Sequence, residues 1–179
     1  VFVAPRIRLL CLDVDGVLTD GSISISDRGE ETKRFHVRDG FALRLWRRLG
    51  GEVAVITGRS GLALRHRLEE LGIGELVNGS VDKGRDFDRL LGELGVAAAE
   101  VAMVGDDLPD LPALLRCGYP IATADAVAEV RAVAAFVTAA RGGQGAVREA
   151  VEHLLRRDGR WDEALAAYRP VAAGTSRRP

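Results

Sequence analysis

Short, wholly apolar runs alternate along this chain with longer stretches whose apolar residues recur every three to four positions. Ile7–Leu12, Val53–Ile56, Val101–Val104, Tyr119–Ala122 and Phe136–Val137 are of the first kind. Their length and continuity are those of strands buried on both faces. Gly40–Leu49, Leu62–Leu71, Gly84–Leu94 and Ala126–Ala134 are of the second kind and read as helices. Two further helices are expected at Gly145–Arg157 and Trp161–Tyr168. Strand–helix alternation predicts an α/β fold, a parallel sheet covered on both faces by helices.

The alternation breaks once. Ile23-Ser24-Ile25-Ser26 and Thr32-Lys33-Arg34-Phe35-His36 flank Asp27-Arg28-Gly29-Glu30, a glycine-containing turn, and predict a β-hairpin over about 21–37. Directly after the first strand, such a hairpin would project over the strand end as a flap. The chain leaves no room for a separate cap domain. One domain is expected over 1–170, with a flexible tail at 171–179.

Composition narrows the function classes. At 179 residues the chain can bury a substantial core. A net charge of −1 gives no basic surface for nucleic acid, and 5% aromatic residues supply few stacking platforms. Cys11 and Cys117 both lie in apolar runs and read as small buried hydrophobes of a reducing compartment, not as a disulfide or metal pair. No apolar stretch approaches the roughly 18 residues that a membrane span needs. Val1–Arg8 lacks the regions of a secretory leader, so a cytoplasmic location is expected.

Chemistry concentrates where strands should end. The first strand runs into Asp13-Val14-Asp15-Gly16. On a regular strand, positions i and i+2 share a face, which would bring both carboxylates to the carboxyl end of the sheet, where α/β folds bind ligands. Two desolvated like charges need a cation or a shared proton, so a metal site doing acid/base or nucleophilic chemistry is expected. Thr57-Gly58-Arg59-Ser60 follows the second strand, Asp82-Lys83-Gly84 opens a helix, and Gly105-Asp106-Asp107-Leu108-Pro109-Asp110 follows a later strand.

Nucleophile, hydroxyl, lysine and acidic pair, in that order on an α/β chain, resemble the haloacid dehalogenase (HAD) superfamily of phosphohydrolases, whose four motifs the chain matches over nearly its whole length. The segments Asp13–Gly21, Lys33-x-Phe35-x-x-Arg38-Asp39-Gly40, Gly105–Asp110 and Gly142–Glu149 resemble its capless branch. That branch includes phosphatases of 3-deoxy-D-manno-octulosonate 8-phosphate and of nine-carbon sialic-type sugar phosphates, and domains fused to acylneuraminate cytidylyltransferases. The resemblance implies a Rossmann-like HAD fold, a Mg²⁺ cofactor, a phosphorylated 2-keto-3-deoxy sugar acid as substrate, and a homotetramer whose neighbouring subunits close the site. Val77-Asn78-Gly79 departs from the aromatic-Gln-Gly segment of the eight-carbon enzymes and leaves the sugar open.

By the same resemblance, Asp13 is the nucleophile and Asp15 the general acid and base. Asp13, Asp106 and the Asp15 backbone carbonyl hold the metal, and Thr57 and Lys83 bind the transferring phosphoryl oxygens. Asp107 and Asp110 would hold metal-bound water or orient Lys83. Substrate contacts are expected from Arg38, Asp39, Gly40, Gly58, Arg59, Arg67 and Asp110. Plainer readings stand beside several of these. Thr57 can be a capping hydroxyl, Asp39 a helix N-cap, Asp110 an acid in a first helical turn, and Arg67 a solvated helix-face residue. Arg59 beside a Ser60 N-cap would oppose the helix dipole by about 0.3–1 kcal/mol, a misfit that an anionic ligand would relieve. His36, His66 and His153 have no ligand spacing and read as surface or interface residues. Gly142-Gly143-x-Gly145 suggests a tight backbone approach before the last long helix. The alternative from another class is a non-catalytic scaffold, against which the intact acidic set and Lys83 argue.

Overall fold

Leu9–Leu12 forms the first strand, β1, with all four residues buried. Its alternate residues serve opposite faces. Leu10 and Leu12 join the core on one side, while Leu9 and Cys11 join the core on the other. That is why the run is apolar throughout instead of alternating. The computed structural model describes residues 5–169, and the tail expected at 171–179 lies outside them.

After β1 come a hairpin of β2 (Ser24–Ile25) and β3 (Glu31–Thr32), then α1 (Val37–Arg48), β4 (Glu52–Thr57), α2 (Leu62–Leu71) and β5 (Glu75–Asn78). The chain continues through α3 (Lys83–Leu94), β6 (Val101–Gly105), α4 (Leu111–Leu114), β7 (Tyr119–Ala122) and α5 (Ala128–Val133). It closes with β8 (Phe136–Val137), α6 (Ala146–Arg157) and α7 (Trp161–Ala166). Six strands pair in parallel in the order β5-β4-β1-β6-β7-β8. Residues of α1, α2, α6 and α7 cover one face, and residues of α3, α4 and α5 cover the other. This is the expected α/β fold, a parallel sheet between helical layers, with a hairpin between β1 and α1.

The sheet winds from β1 out to β5, then returns to lay β6 on the other side of β1. Strand order therefore reverses between β1 and β6, and a crevice opens there at the carboxyl ends. Both strands deliver acids to it.

Several boundaries shift by one to four residues from the sequence pattern, and three differences stand out. Strand β5 was not expected, because only Leu76 and Val77 are apolar between Glu75 and Asn78, and both are half-buried. Helix α1 starts three residues early, with His36 at its N-cap, so Asp39 lies inside the first turn instead of capping it. Helix α2 is preceded by Gly61, not Ser60, at the N-cap. Cys11 is buried, Cys117 half-buried, and neither is in a disulfide. Among the described residues no helix is long and apolar enough to cross a membrane.

Candidate active site

Asp13 follows β1 directly, anchored by its backbone N–H, which donates to the Val104 carbonyl of β6 at 3.1 Å. The chain then leaves the sheet. The N–H groups of Val17, Leu18 and Thr19 all turn back to the Val14 carbonyl, at 3.3, 2.9 and 3.0 Å. Asp15 sits in this turn, so strand alternation is not what unites the two carboxylates. The turn brings both to one cleft. It requires Gly16, whose φ is +100° and where a Cβ would fall on the Asp106 carboxylate.

That cleft has a volume of about 420 Å³ and is lined by Asp13, Asp15, Thr57, Gly58, Arg59, Lys83, Asp106, Asp107 and Asp110, among others. A second depression, between Arg47, Gly51, Gly72 and Gly74 at the opposite end of the sheet, has no comparable convergence of charge. Thr57 closes β4 fully buried, and its Oγ1 accepts the Arg59 N–H at 3.2 Å. The hydroxyl caps the local turn and also lines the cleft.

Lys83 is the first residue of α3, a position where a cation opposes the helix dipole. Two carboxylates outweigh that. Its Nζ donates to Asp13 Oδ1 at 2.6 Å and to Asp110 Oδ1 at 2.5 Å. Burial alone would lower the Lys83 pKa, but the two carboxylates and their hydrogen bonds raise it above the ordinary lysine value. Asp110 is saturated, since its Oδ2 accepts the backbone N–H groups of Asp106 and Asp107 at 2.9 and 3.3 Å. It thus orients Lys83 and ties down the loop after β6. Asp107 accepts the Leu108 N–H at 2.7 Å and acts as a local cap, not as an orienter of Lys83.

Carboxylate atoms of Asp13, Asp106 and Asp110 lie within 4.8 Å of one another. When all three are ionised they face one ammonium, an excess of two negative charges. Burial, then repulsion from Asp110, pushes the Asp13 carboxyl up to about 6 against the pull of Lys83. Burial, followed by the charges of Asp13, Asp110 and Asp107, pushes Asp106 up to about 8. The Asp106 Oδ1 atom is buried without a hydrogen-bond partner. Surplus negative charge, hard oxygen donors and an orphaned acceptor fit a divalent cation such as Mg²⁺. The side chain of Asp15 stands apart from this cluster, leaving its backbone carbonyl as the only ligand it could contribute.

Asp15 instead meets the hairpin. Its Oδ1 accepts from Lys33 Nζ, and its Oδ2 is buried with no hydrogen-bond partner. Arg59 reaches back to the hairpin, with Nη2 3.1 Å from Glu31 Oε1. The misfit of a cation ahead of α2 is therefore met within the chain. Hydrogen bonds from Lys33 and Arg59 overcome partial burial to hold the Glu31 carboxyl below its ordinary range.

The haloacid dehalogenase-like hydrolase model matches residues 30–118. Over 161 residues the chain is 46% identical to the 3-deoxy-D-manno-octulosonate 8-phosphate phosphatase of Escherichia coli, an alignment spanning 90% of this chain and 86% of that protein. The chain belongs to the haloacid dehalogenase-like hydrolases. Among solved members, the 3-deoxy-D-manno-octulosonate 8-phosphate phosphatase of Moraxella catarrhalis, in complex with magnesium, phosphate and the sugar acid, superposes with a TM-score of 0.89 at 39% identity, covering 91% and 94% of the two chains. The cobalt-bound phosphatase of Haemophilus influenzae gives a TM-score of 0.86 at 36% identity, covering 90% of this chain and 97% of that one.

Within this HAD-like frame, four expected substrate residues stand outside the cleft of the single chain: Arg38, Asp39, Gly40 and Arg67. Asp39 is buried and caps a distant helix, accepting the N–H groups of Gly145 at 3.3 Å and Arg148 at 2.7 Å. Burial raises its pKa against those two hydrogen bonds. Arg67 pairs with Glu70 at 2.7 Å and lies over the Phe35 ring. The Arg67 guanidinium lies against Gly40, so that a Cβ there would require Arg67 to move. The glycine approach is real. Gly143 N–H donates to Val17 O at 2.9 Å, and a Cβ on Gly142 would overlap the Gly16 carbonyl. His153 is half-buried, stacking on Phe136 with ring centroids 3.8 Å apart and meeting Tyr119 Oη at 2.8 Å. Lys33 and Glu31 are the charged neighbours of Asp15 that sequence reasoning left without a role. The signal available was their spacing of two on the hairpin.

Proposed function

We propose that this hydrolase cleaves the phosphomonoester of a phosphorylated 2-keto-3-deoxy sugar acid, 3-deoxy-D-manno-octulosonate 8-phosphate in the first instance, with Mg²⁺ as cofactor. The observation that carries the reading is the Asp13 carboxylate in the cleft, held by Lys83 beside the unpartnered Asp106. Asp13, Asp106 and the Asp15 carbonyl would hold the ion, which supplies positive charge to the phosphoryl oxygens. An anionic nucleophile approaching a phosphate meets a repulsion of about 4 kcal/mol per pair of unit charges at 4 Å and an effective dielectric constant of 20. Lys83 opposes that repulsion from within the cleft.

Asp13 attacks phosphorus through a carboxylate oxygen, the bond from phosphorus to the sugar oxygen breaks, and Asp15 gives its proton to the leaving alkoxide. Asp15 then takes a proton from water as the water attacks the aspartyl phosphate, which returns Asp13 and releases inorganic phosphate. Thr57 and Lys83 hold the equatorial oxygens through both steps. Arg59, half-exposed at the mouth, would receive the substrate's carboxylate. Apolar Ile23 and Ile25 lie exposed on the hairpin. They support a homotetramer in which neighbours close the site, and light scattering that finds a fully active monomer would contradict that part. Free cysteines fit a cytoplasmic setting.

The test is phosphate release with Mg²⁺ from the eight-carbon substrate, a nine-carbon analogue and glucose 6-phosphate. A kcat/KM highest for the eight-carbon sugar is expected. Preference for the nine-carbon sugar would move the substrate and leave the chemistry. Silence on all three would overturn the enzyme reading.

A further inference from the structure

We propose that Glu31 and Lys33, both on the hairpin, are positioning residues for phosphoryl transfer. They close a ring of alternating charge with Asp15 and Arg59 that fixes which oxygen of Asp15 faces the reaction. The inference rests on the reading of Asp15 as acid and base.

The ring can be followed atom by atom. Asp15 Oδ1 accepts from Lys33 Nζ. Lys33 Nζ lies 3.3 Å from Glu31 Oε1, and that same oxygen takes Arg59 Nη2 at 3.1 Å. Arg59 Nε returns to Asp15 Oδ2 at 3.8 Å, an ion pair too long for a hydrogen bond. Two members come from the hairpin and two from the loops after β1 and β4. The hairpin's own ladder is short, pairing Ser24 with Thr32 and Ile25 with Glu31, and Ser26 and Glu30 close its turn with backbone and side-chain hydrogen bonds. So short a ribbon is at most marginal alone, and the ring supplies a tie to the sheet.

Its chemical consequence lies at Asp15. Lys33 occupies Oδ1, and Thr19 Oγ1 stands 3.4 Å from the same atom. Oδ2 has no hydrogen-bond partner and lies beside Arg59 Nε at 3.8 Å; it is the oxygen left to carry the transferable proton once Arg59 turns away. Glu31 draws on both cations, so Asp15 does not face two uncompensated positive charges. The Lys33 side chain is 3% exposed against 44% for Arg59. Lys33 is thus the fixed member, and Arg59 the one free to turn toward an incoming anion.

General acid catalysis matters in proportion to how poor the leaving group is, which gives a readout that mere damage to the hairpin would not move. The experiment compares kcat/KM for a sugar phosphate and for p-nitrophenyl phosphate, whose phenolate leaves without a proton, in wild type, Lys33→Met, Lys33→Arg, Glu31→Gln and Asp15→Asn. Because kcat/KM ends at the first phosphoryl transfer, hydrolysis of the phosphoenzyme does not enter. For Lys33→Met we expect about a 10- to 100-fold loss on the sugar phosphate and no more than about threefold on p-nitrophenyl phosphate. Glu31→Gln should show a smaller loss of the same kind, and Lys33→Arg a partial rescue. Arg28→Ala, in the exposed hairpin turn, should match wild type on both. Equal losses on the two substrates for Lys33→Met, or none, overturn the proposal while Asp15→Asn remains selective. If Asp15→Asn is itself unselective, the acid–base reading fails and the proposal with it.

Discussion

Two groups of four charged residues meet at one cleft, and they are built on opposite principles. Asp13, Lys83, Asp106 and Asp110 stand on the ends of the sheet and the first turn of α3, with side chains of Asp13, Lys83 and Asp110 between 1% and 9% exposed. They are out of balance, three acids to one base. Asp15, Glu31, Lys33 and Arg59 are in balance, more open, and half of them ride on a hairpin. A buried excess of charge is costly, and a rigid frame that retains it is organised for a counter-charge from outside. A neutral ring needs no such partner, and its effect is to hold one carboxylate still.

The contrast can be broken most forcefully at Asp13. Asp13→Asn should lower kcat by about 10⁴-fold or more while the fold and Mg²⁺-dependent substrate binding persist. A variant with near wild-type turnover would remove Asp13 from its role. Removing a lysine from each group in turn compares them directly. Lys83→Met strands two buried carboxylates and should cost about 3–5 kcal/mol in urea unfolding at neutral pH. The same change at Lys33 should cost less, since its partners Asp15 and Glu31 are partly exposed and keep Arg59 as a counter-charge. Equal costs would erase the distinction.

Acidity gives a subtler test. In metal-free protein Asp13 and Asp106 hold protons that the unfolded chain, with carboxyls near 3.8, has already released. That contribution is fully present below the unfolded value and is lost as the pH rises through about 6 and then about 8. The Tm of EDTA-treated protein should fall across this window, and Mg²⁺ should restore most where the carboxylates are ionised. A metal-free Tm that is flat or rising over the same range would contradict the excess of charge. The smallest expected effect is on the stability of Glu31→Gln, which keeps an acceptor oxygen and removes only a partly exposed negative charge, and should shift Tm by little more than the error of the measurement.

The same division explains what was legible beforehand. Asp13, Thr57, Lys83 and Asp106 follow apolar runs or open a helical pattern, and a parallel sheet gathers such positions at one end whatever its detailed register. The roles of Glu31 and Lys33 depend on how a two-residue ribbon folds over the cleft, and no periodicity encodes that. Asp39 was out of reach for another reason. The N–H groups it caps lie 106 and 109 positions away, so local spacing could offer only its own helix as a partner. Strand β5 was lost to its polar ends, and no sequence sign announces the stacking of Phe136 on His153.

The most direct test is to quench the enzyme with acid during turnover of the sugar phosphate, reduce with borohydride, and sequence the peptides by mass spectrometry. An aspartyl phosphate is reduced to homoserine, so the account predicts homoserine at position 13, present with Mg²⁺ and absent with EDTA. Steady release of phosphate with Asp13 unmodified, or modification at another carboxylate, would contradict it.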